Sequence, residues 1–174
     1  MRKNARSGSS IIEFAVVAPV LLLFICGIIE TGVIFYGQST LFYATADATR
    51  MVRTGQITGA VNATTIRTQI CSRISGLIST AQCNANLKID MRTASSFGSS
   101  SYPSVTNSNG TINSGALNTS SNISACQIVL IRSFYPWAIM TPLMRPLLKT
   151  ASDGTHLLYA AAAFRTEPYN NSPC

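Results

Sequence analysis

From Ile11 to Ile29 every position except Glu13 is apolar, glycine or proline. A helical run of that length is enough to cross a hydrocarbon core of about 30 Å. Apolar character continues past Glu30 through Val33, Ile34, Phe35 and Tyr36, so the pattern predicts a transmembrane helix over 9–36. Beyond it, "YGQSTLFYATADATRMVRTGQ" keeps a helical period. Leu41, Ala44, Ala48 and Met51 recur at three- and four-residue steps, and Asp47, Arg50 and Arg53 take the more polar side. This predicts an extramembrane helical stalk over 37–56 that stops at Gly55. As one rod, Ile11 to Arg53 would measure about 65 Å. Its alanine-rich face suits close contact, either with another helix or with the chain's own domain.

The pattern then changes. Over 62–80, Ile66, Ile70, Ile74 and Leu77 fall on one stripe with Arg67 and Arg73 largely off it, an amphipathic helix with Asn62 or Thr64 as cap. "NLKIDMR", residues 86–92, alternates: Leu87, Ile89 and Met91 face one way, Lys88, Asp90 and Arg92 the other, as in a half-buried strand. Residues 93–124 are rich in Ser, Asn, Thr and Gly and predict a long loop or irregular hairpin that cannot order itself alone. Ile128 to Ile131 read as a buried strand ending at Pro136, and "PLMRPLL" as a proline-framed turn or short helix. "THLLYAAAAFRTEP" reads as a last strand ending before Pro168. Its alanines also suit a helix, but Leu157, Tyr159, Phe164 and Arg165 fit a sheet edge. The expected fold class is α+β: a long N-terminal transmembrane and stalk helix, then an exported domain over 57–174. That domain is a small antiparallel sheet with a packed helix, stapled by disulfides.

Charge adds topology. The chain is 47% hydrophobic and only 11% charged, with a formal net charge of +7. Its basic residues are scattered singly and form no stripe interleaved with aromatics, which argues against a nucleic-acid partner. The one dense group, Arg2, Lys3 and Arg6, precedes the apolar run, whereas Arg50 and Arg53 follow it by roughly twenty residues, an asymmetry that puts the amino terminus inside and the domain outside. The apolar run is too long for a secretory signal, and the tempting Ala44-Thr45-Ala46 site lies inside a helical pattern. Localisation in the inner, cytoplasmic membrane as a single-pass protein follows, with membrane lipid as a partner and the domain periplasmic or extracellular.

An acid at the centre of a spanning helix costs about 2.5–3.5 kcal/mol and less near an end. Glu13 stands near the start, where the helix dipole favours negative charge. A cut after Gly8 would make Ser9 the new terminus and Glu13 the fifth residue of the mature chain. The new ammonium of one subunit could then pair with Glu13 of a neighbour, offsetting the desolvation of both and fixing axial register. Pro19 frees the Ala15 carbonyl, which a membrane helix tolerates.

The basic leader, "RSG", "SSIIEF" and a long apolar helix resemble the signal of type IV pilin-like proteins. "AVVAPVLLLFICGIIETG" resembles specifically the TadE-like pseudopilins, or minor pilins, of the Flp/Tad pilus system. The resemblance extends to "CSRISGLISTAQCNANLKIDMRTASSFG" and "SFYPWAIMTPLMRPLL…LLYAAAAFRTEP" in the exported part. It implies a leader over 1–8, processing between Gly8 and Ser9 by a prepilin peptidase, and an assembly role for Glu13 and the adjacent Phe14. The implied partners are other pilins and pseudopilins and the Tad inner-membrane platform, with adhesion and surface colonisation as the outcome. Pilus-forming subunits of this system are far shorter, so the implied role is minor. The alternative is an uncleaved single-pass protein whose exported domain binds an envelope partner.

Four cysteines, Cys71, Cys83, Cys126 and Cys174, fall outside the apolar run, and in an oxidising compartment they allow three disulfide pairings. Cys71 with Cys83 would close a short loop tying the helix to the first strand, leaving Cys126 with Cys174 to pin the terminal segment. No CxxC pair occurs and His156 is the only histidine, so no metal site is expected. Neither a G-x-S-x-G elbow nor a phosphate-cradling glycine loop is present, so the sequence predicts no enzyme and no cofactor.

Overall fold

In the computed structural model, the structure describes residues 7–57, 61–94, 96, 98, 103–119 and 123–168. The basic leader residues Arg2, Lys3 and Arg6, together with Cys174, lie outside the described residues. A single helix, α1 (Ser7–Arg53), runs through both the apolar segment and the expected stalk, uninterrupted at Pro19. Its 47 residues correspond to about 70 Å. Gly55 ends it in the left-handed conformation (φ 66°). The Gln56 amide donates to the Met51 carbonyl and the Gly55 amide to that of Val52, the two bonds of a Schellman cap.

The domain follows as α2 (Ala63–Arg73), α3 (Thr80–Asn86), β1 (Lys88–Ala94), β2 (Ile128–Ala138), α4 (Arg145–Leu148) and β3 (Thr155–Arg165). The strands form one antiparallel sheet in the order β1-β2-β3. The expected helix over 62–80 ends early, and a second helix begins only where that stretch was expected to finish. Asn62 caps α2 by accepting from the Thr65 amide, but the helix stops at Arg73, and Ser79 starts α3 by capping the Gln82 amide. The break lets Ile74, Ile78 and the stripe residues Ile66 and Ile70 all reach the core. Cys71 and Cys83 are bonded, so the disulfide joins α2 to α3 rather than to the first strand. Closing a loop of this size stabilises by about 3 kcal/mol. Cys126 is disulfide-bonded as well.

One face of the sheet presses against the upper half of α1. Leu41, Ala44, Ala48 and Val52 of the helix are buried with Val129, Ile131, Tyr135 and Trp137 of β2 and with Leu158 and Ala160 of β3. The alanine-rich face of the expected stalk therefore packs on the chain's own domain. The AAAA run is strand, with Ala160 buried and Ala161 exposed in alternation. Its small side chains admit the helix closely. β2 does not end at Pro136 but continues to Ala138. Pairing with β1 has already finished at Phe134, so the proline lies where one edge of β2 is open. Helix and sheet approach closely at Gly37, where an added Cβ would stand 3.3 Å from both the Trp137 ring and Leu158 Cδ1.

The opposite face was expected to be polar and half exposed, yet Asp90 is fully buried there. Its carboxylate accepts from the Asn118 amide (2.8 Å), from Arg132 Nη2 (2.7 Å) and Nε (3.0 Å), and from Arg92 Nε (3.1 Å). Both arginines then bond carbonyls of the Ser/Asn-rich tract, Arg132 to Pro103 and Arg92 to Ala116. The described part of that tract, residues 103–119, is thus held from below by the sheet. It turns through a Thr106–Ile112 bridge and buries Val105, and its tip meets 150–152 where Gly110 (φ 79°) touches the Thr150 carbonyl. The Met91 amide donates to the Asn118 carbonyl, covering the outer edge of β1. The side-chain amide of Gln38 does the same for β3, donating to the Tyr159 carbonyl and accepting from the Tyr159 amide.

Burial alone would raise the Asp90 carboxyl, but the Asn118 amide, Arg132 and Arg92 offset it and hold the group below the usual aspartate range. A depressed folded value means that its stabilisation is complete above the unfolded value and is lost as pH falls through the folded one. Asp90→Asn should therefore cost about 3 kcal/mol near pH 7. It should also flatten the loss of stability on acidification below about pH 4, as measured by denaturant unfolding of the detergent-solubilised chain. Gly37→Leu should cost about 1–3 kcal/mol by overpacking. The emission of Trp137, the only tryptophan, reports that change directly.

The long helix as candidate assembly surface

Below Glu30, α1 is largely exposed, its one neighbour among the described residues being the segment around Met144 beside Leu23–Ile28. Ile11, Ile12, Phe14, Val16, Val20, Leu21, Ile28 and Ile29 are all exposed, and within the helix the most apolar 18-residue window has a mean hydropathy of 2.7 and no buried share. An apolar cylinder with so little protein cover fits lipid or other helices, not water. By length and composition this is the one helix among the described residues able to cross a membrane.

The structure places Gly8 and Ser9 in the first turn of α1, with Glu13 exposed little more than one turn further on and Phe14 beside it, 73% exposed. These expected processing and assembly residues thus share one helix end. They are remote in sequence from the α+β domain, which contributes none of its core to them.

Above the apolar cylinder the helix has two faces. One is the core face described above, where Thr45 Oγ1 and Ser133 Oγ form a buried hydrogen-bonded pair at 2.6 Å. The other presents Phe35, Tyr36, Phe42 and Tyr43, all exposed and seven residues apart in pairs. Aromatic residues at that spacing make one continuous stripe on a helix. The stalk pattern did not single them out, although the heptad spacing of 35/36 and 42/43 is visible in the sequence. Beside the core, Asp47 pairs with Arg73 of α2 at 2.8 Å and Arg53 with Glu167 at 3.2 Å, both at the surface.

Glu30 is the residue that sequence reasoning missed. Assigned to the apolar anchor, it is buried at 5% exposure beneath the segment that follows β2. Its carboxylate accepts from the amides of Met140 (2.9 Å) and Thr141 (3.0 Å) and from Thr141 Oγ1 (2.8 Å). One turn below, Gly27 leaves room for Met144, whose Sδ would stand 3.2 Å from an added Cβ. Isolated at the end of an apolar run, Glu30 carries the sequence signal that could have revealed this clamp: a buried acid requires donors.

His156 Nδ1 donates to the Leu148 carbonyl at 2.6 Å, fastening α4 to β3. Among the described residues no group of three His, Cys, Asp or Glu side chains is placed to hold a metal ion.

The family described as TadE-like protein matches residues 8–50. No curated protein and no solved structure matches the chain. The match begins at Gly8, takes in Glu13 and Glu30, and ends within α1, so it does not reach the exported regions in which a resemblance was also expected. Over residues 8–50, the segment that forms the apolar cylinder and most of the aromatic-bearing half of α1, the chain is similar to TadE-like proteins.

Proposed function

We propose that the protein is a minor pilin or pseudopilin that is cut between Gly8 and Ser9 by a prepilin peptidase and takes part in assembly of a Flp/Tad-type pilus. The observation that carries this reading is a coincidence of boundaries. The TadE-like match covers residues 8–50, and the same residues form a helix that is apolar and largely uncovered over its lower half. It is sheathed by its own domain on only one face above. A subunit of that shape can exchange lipid for neighbouring helices without unfolding its domain.

In this role the amino terminus faces the cytoplasm, and the sheet with its disulfides faces the oxidising side, where the domain primes, caps or anchors the fibre and supports adhesion. Its work is structural and not catalytic. The exposed pairs Phe35/Tyr36 and Phe42/Tyr43 extend the helix contact above the membrane. Cleavage at Gly8 supplies the ammonium that Glu13 of a neighbour neutralises.

Mass analysis of protein extracted from its native envelope should find a chain beginning at Ser9; an intact Met1 in every copy would overturn the processing. Glu13→Ala should leave Trp137 emission unchanged while the amount recovered with sheared pili falls to background. Normal recovery of that variant would overturn the role of Glu13, and absence of the unaltered chain from sheared pili would favour an uncleaved single-pass protein whose domain binds an envelope partner. The double change Tyr36→Ala and Tyr43→Ala should weaken incorporation in the same assay without altering thermal stability, because both rings are exposed.

A further inference from the structure

The segment between β2 and β3 contains "MTPLMRPLLK", residues 140–149, and it points its apolar side chains outward. Met140 is 79% exposed, Leu143 64% and Leu147 76%. With the helix it encloses an open apolar groove of about 410 Å³, lined by Leu23, Phe24 and Ile28 of α1 and by Met144, Leu147 and Leu148 of the segment. Exposed apolar patches of this kind mark contact surfaces in soluble proteins. Here the height of the patch along α1 identifies the contact.

The segment cannot slide along the helix. Glu30 holds its start through three hydrogen bonds, Met144 is seated on Gly27, and His156 fastens its end to β3. Leu147 therefore stands beside Leu23–Ile28. If the bilayer stopped below that level, only Ile11 to Leu22 would remain in hydrocarbon, about 18 Å of helix at 1.5 Å per residue. A core of about 30 Å needs the apolar run up to Ile29. The span and the loop must then occupy the same layer.

We infer that the 140–149 segment is a membrane-inserted foot: Met140, Leu143 and Leu147 lie among acyl chains of the outer leaflet beside α1, and lipid fills the groove. Charge agrees with this placement. No acidic residue occurs from Thr141 to Ser152, and Arg145 and Lys149 are exposed, with the Arg145 stem laid against Gly154 in the turn before β3. Both can reach lipid phosphates while their stems cross the apolar boundary. The foot and the helix form two points of attachment, which fixes the tilt and rotation of the domain over the membrane. The inference rests on α1 being a membrane span, and it is independent of cleavage at Gly8 and of assembly.

The test places a tryptophan reporter at each point of the full chain carrying Trp137→Phe, so that the reporter is the single tryptophan, reconstituted in phosphatidylcholine vesicles with and without bromine at mid-chain. Leu147→Trp and, separately, Leu143→Trp should show blue-shifted emission that brominated lipid quenches to an extent approaching Val16→Trp. Thr68→Trp, on the exposed side of α2, should show solvent-like emission indifferent to bromine. Quenching of Val16→Trp together with solvent-like, unquenched emission at both 143 and 147 would overturn the foot while leaving the span intact. Loss of quenching at Val16→Trp would overturn the span itself. Blue-shifted emission at 147 that is unquenched and reverts on dilution of protein in lipid would overturn lipid in favour of a second copy as occupant.

Discussion

One helix has to serve two environments, and the position at which it changes from one to the other governs the rest of the molecule. From Ile11 to Ile29 the helix is apolar but for Glu13 and is touched by its own domain only where the 140–149 segment lies beside Leu23–Ile28; higher up one face is sealed by the sheet. The seam depends on close approach. Gly37 allows the Trp137 ring and Leu158 to meet the helix, and Gly27 gives the same latitude to Met144. A larger residue at either place would lift the sheet and expose apolar surface that neither water nor lipid is positioned to cover. Glu30 converts this steric fit into a directional one, because its carboxylate demands donors that only the Met140–Thr141 backbone and the Thr141 hydroxyl supply.

A second polar centre organises the far side of the sheet. Asp90 gathers Arg92 and Arg132, and the arginines extend the hydrogen bonding outward to Ala116 and Pro103. A tract almost devoid of apolar residues is thereby given an ordered course without a core of its own. A buried ionic cluster of this kind contributes little net energy compared with an apolar replacement, but removing one partner leaves charge uncompensated. Its contribution is therefore mainly to specify which path the loop takes.

Much of this was legible in the sequence, and the failures have physical causes. The apolar run, its helical continuation, the Gly55 stop, the Asn62 cap and the three strands follow from local periodicity and cap chemistry, which act within a few residues. The Cys71–Cys83 bond follows from proximity along the chain. Strict alternation put Asp90 on the solvent side, because the pattern could not know that residues 103–119 return to cover that face. The Ile66–Leu77 stripe suggested one long helix, although two short ones let Ile78 and Leu87 join the core as well. Gly8, Ser9, Glu13 and Phe14 carry a motif that can be read locally, whereas the burial of Glu30 and the outward-facing 140–149 segment depend on contacts more than a hundred residues apart.

The Gln38 side chain, seated at Tyr159, has a consequence for how copies of this protein can join. A bare terminal strand invites another chain to extend the sheet, the route by which many β-rich proteins polymerise without control. Here a glutamine occupies the Tyr159 backbone on one flank and the Asn118 carbonyl occupies that of Met91 on the other. An incoming strand would have to displace one of these bonds to register along either edge, a cost that the uncovered helix does not carry.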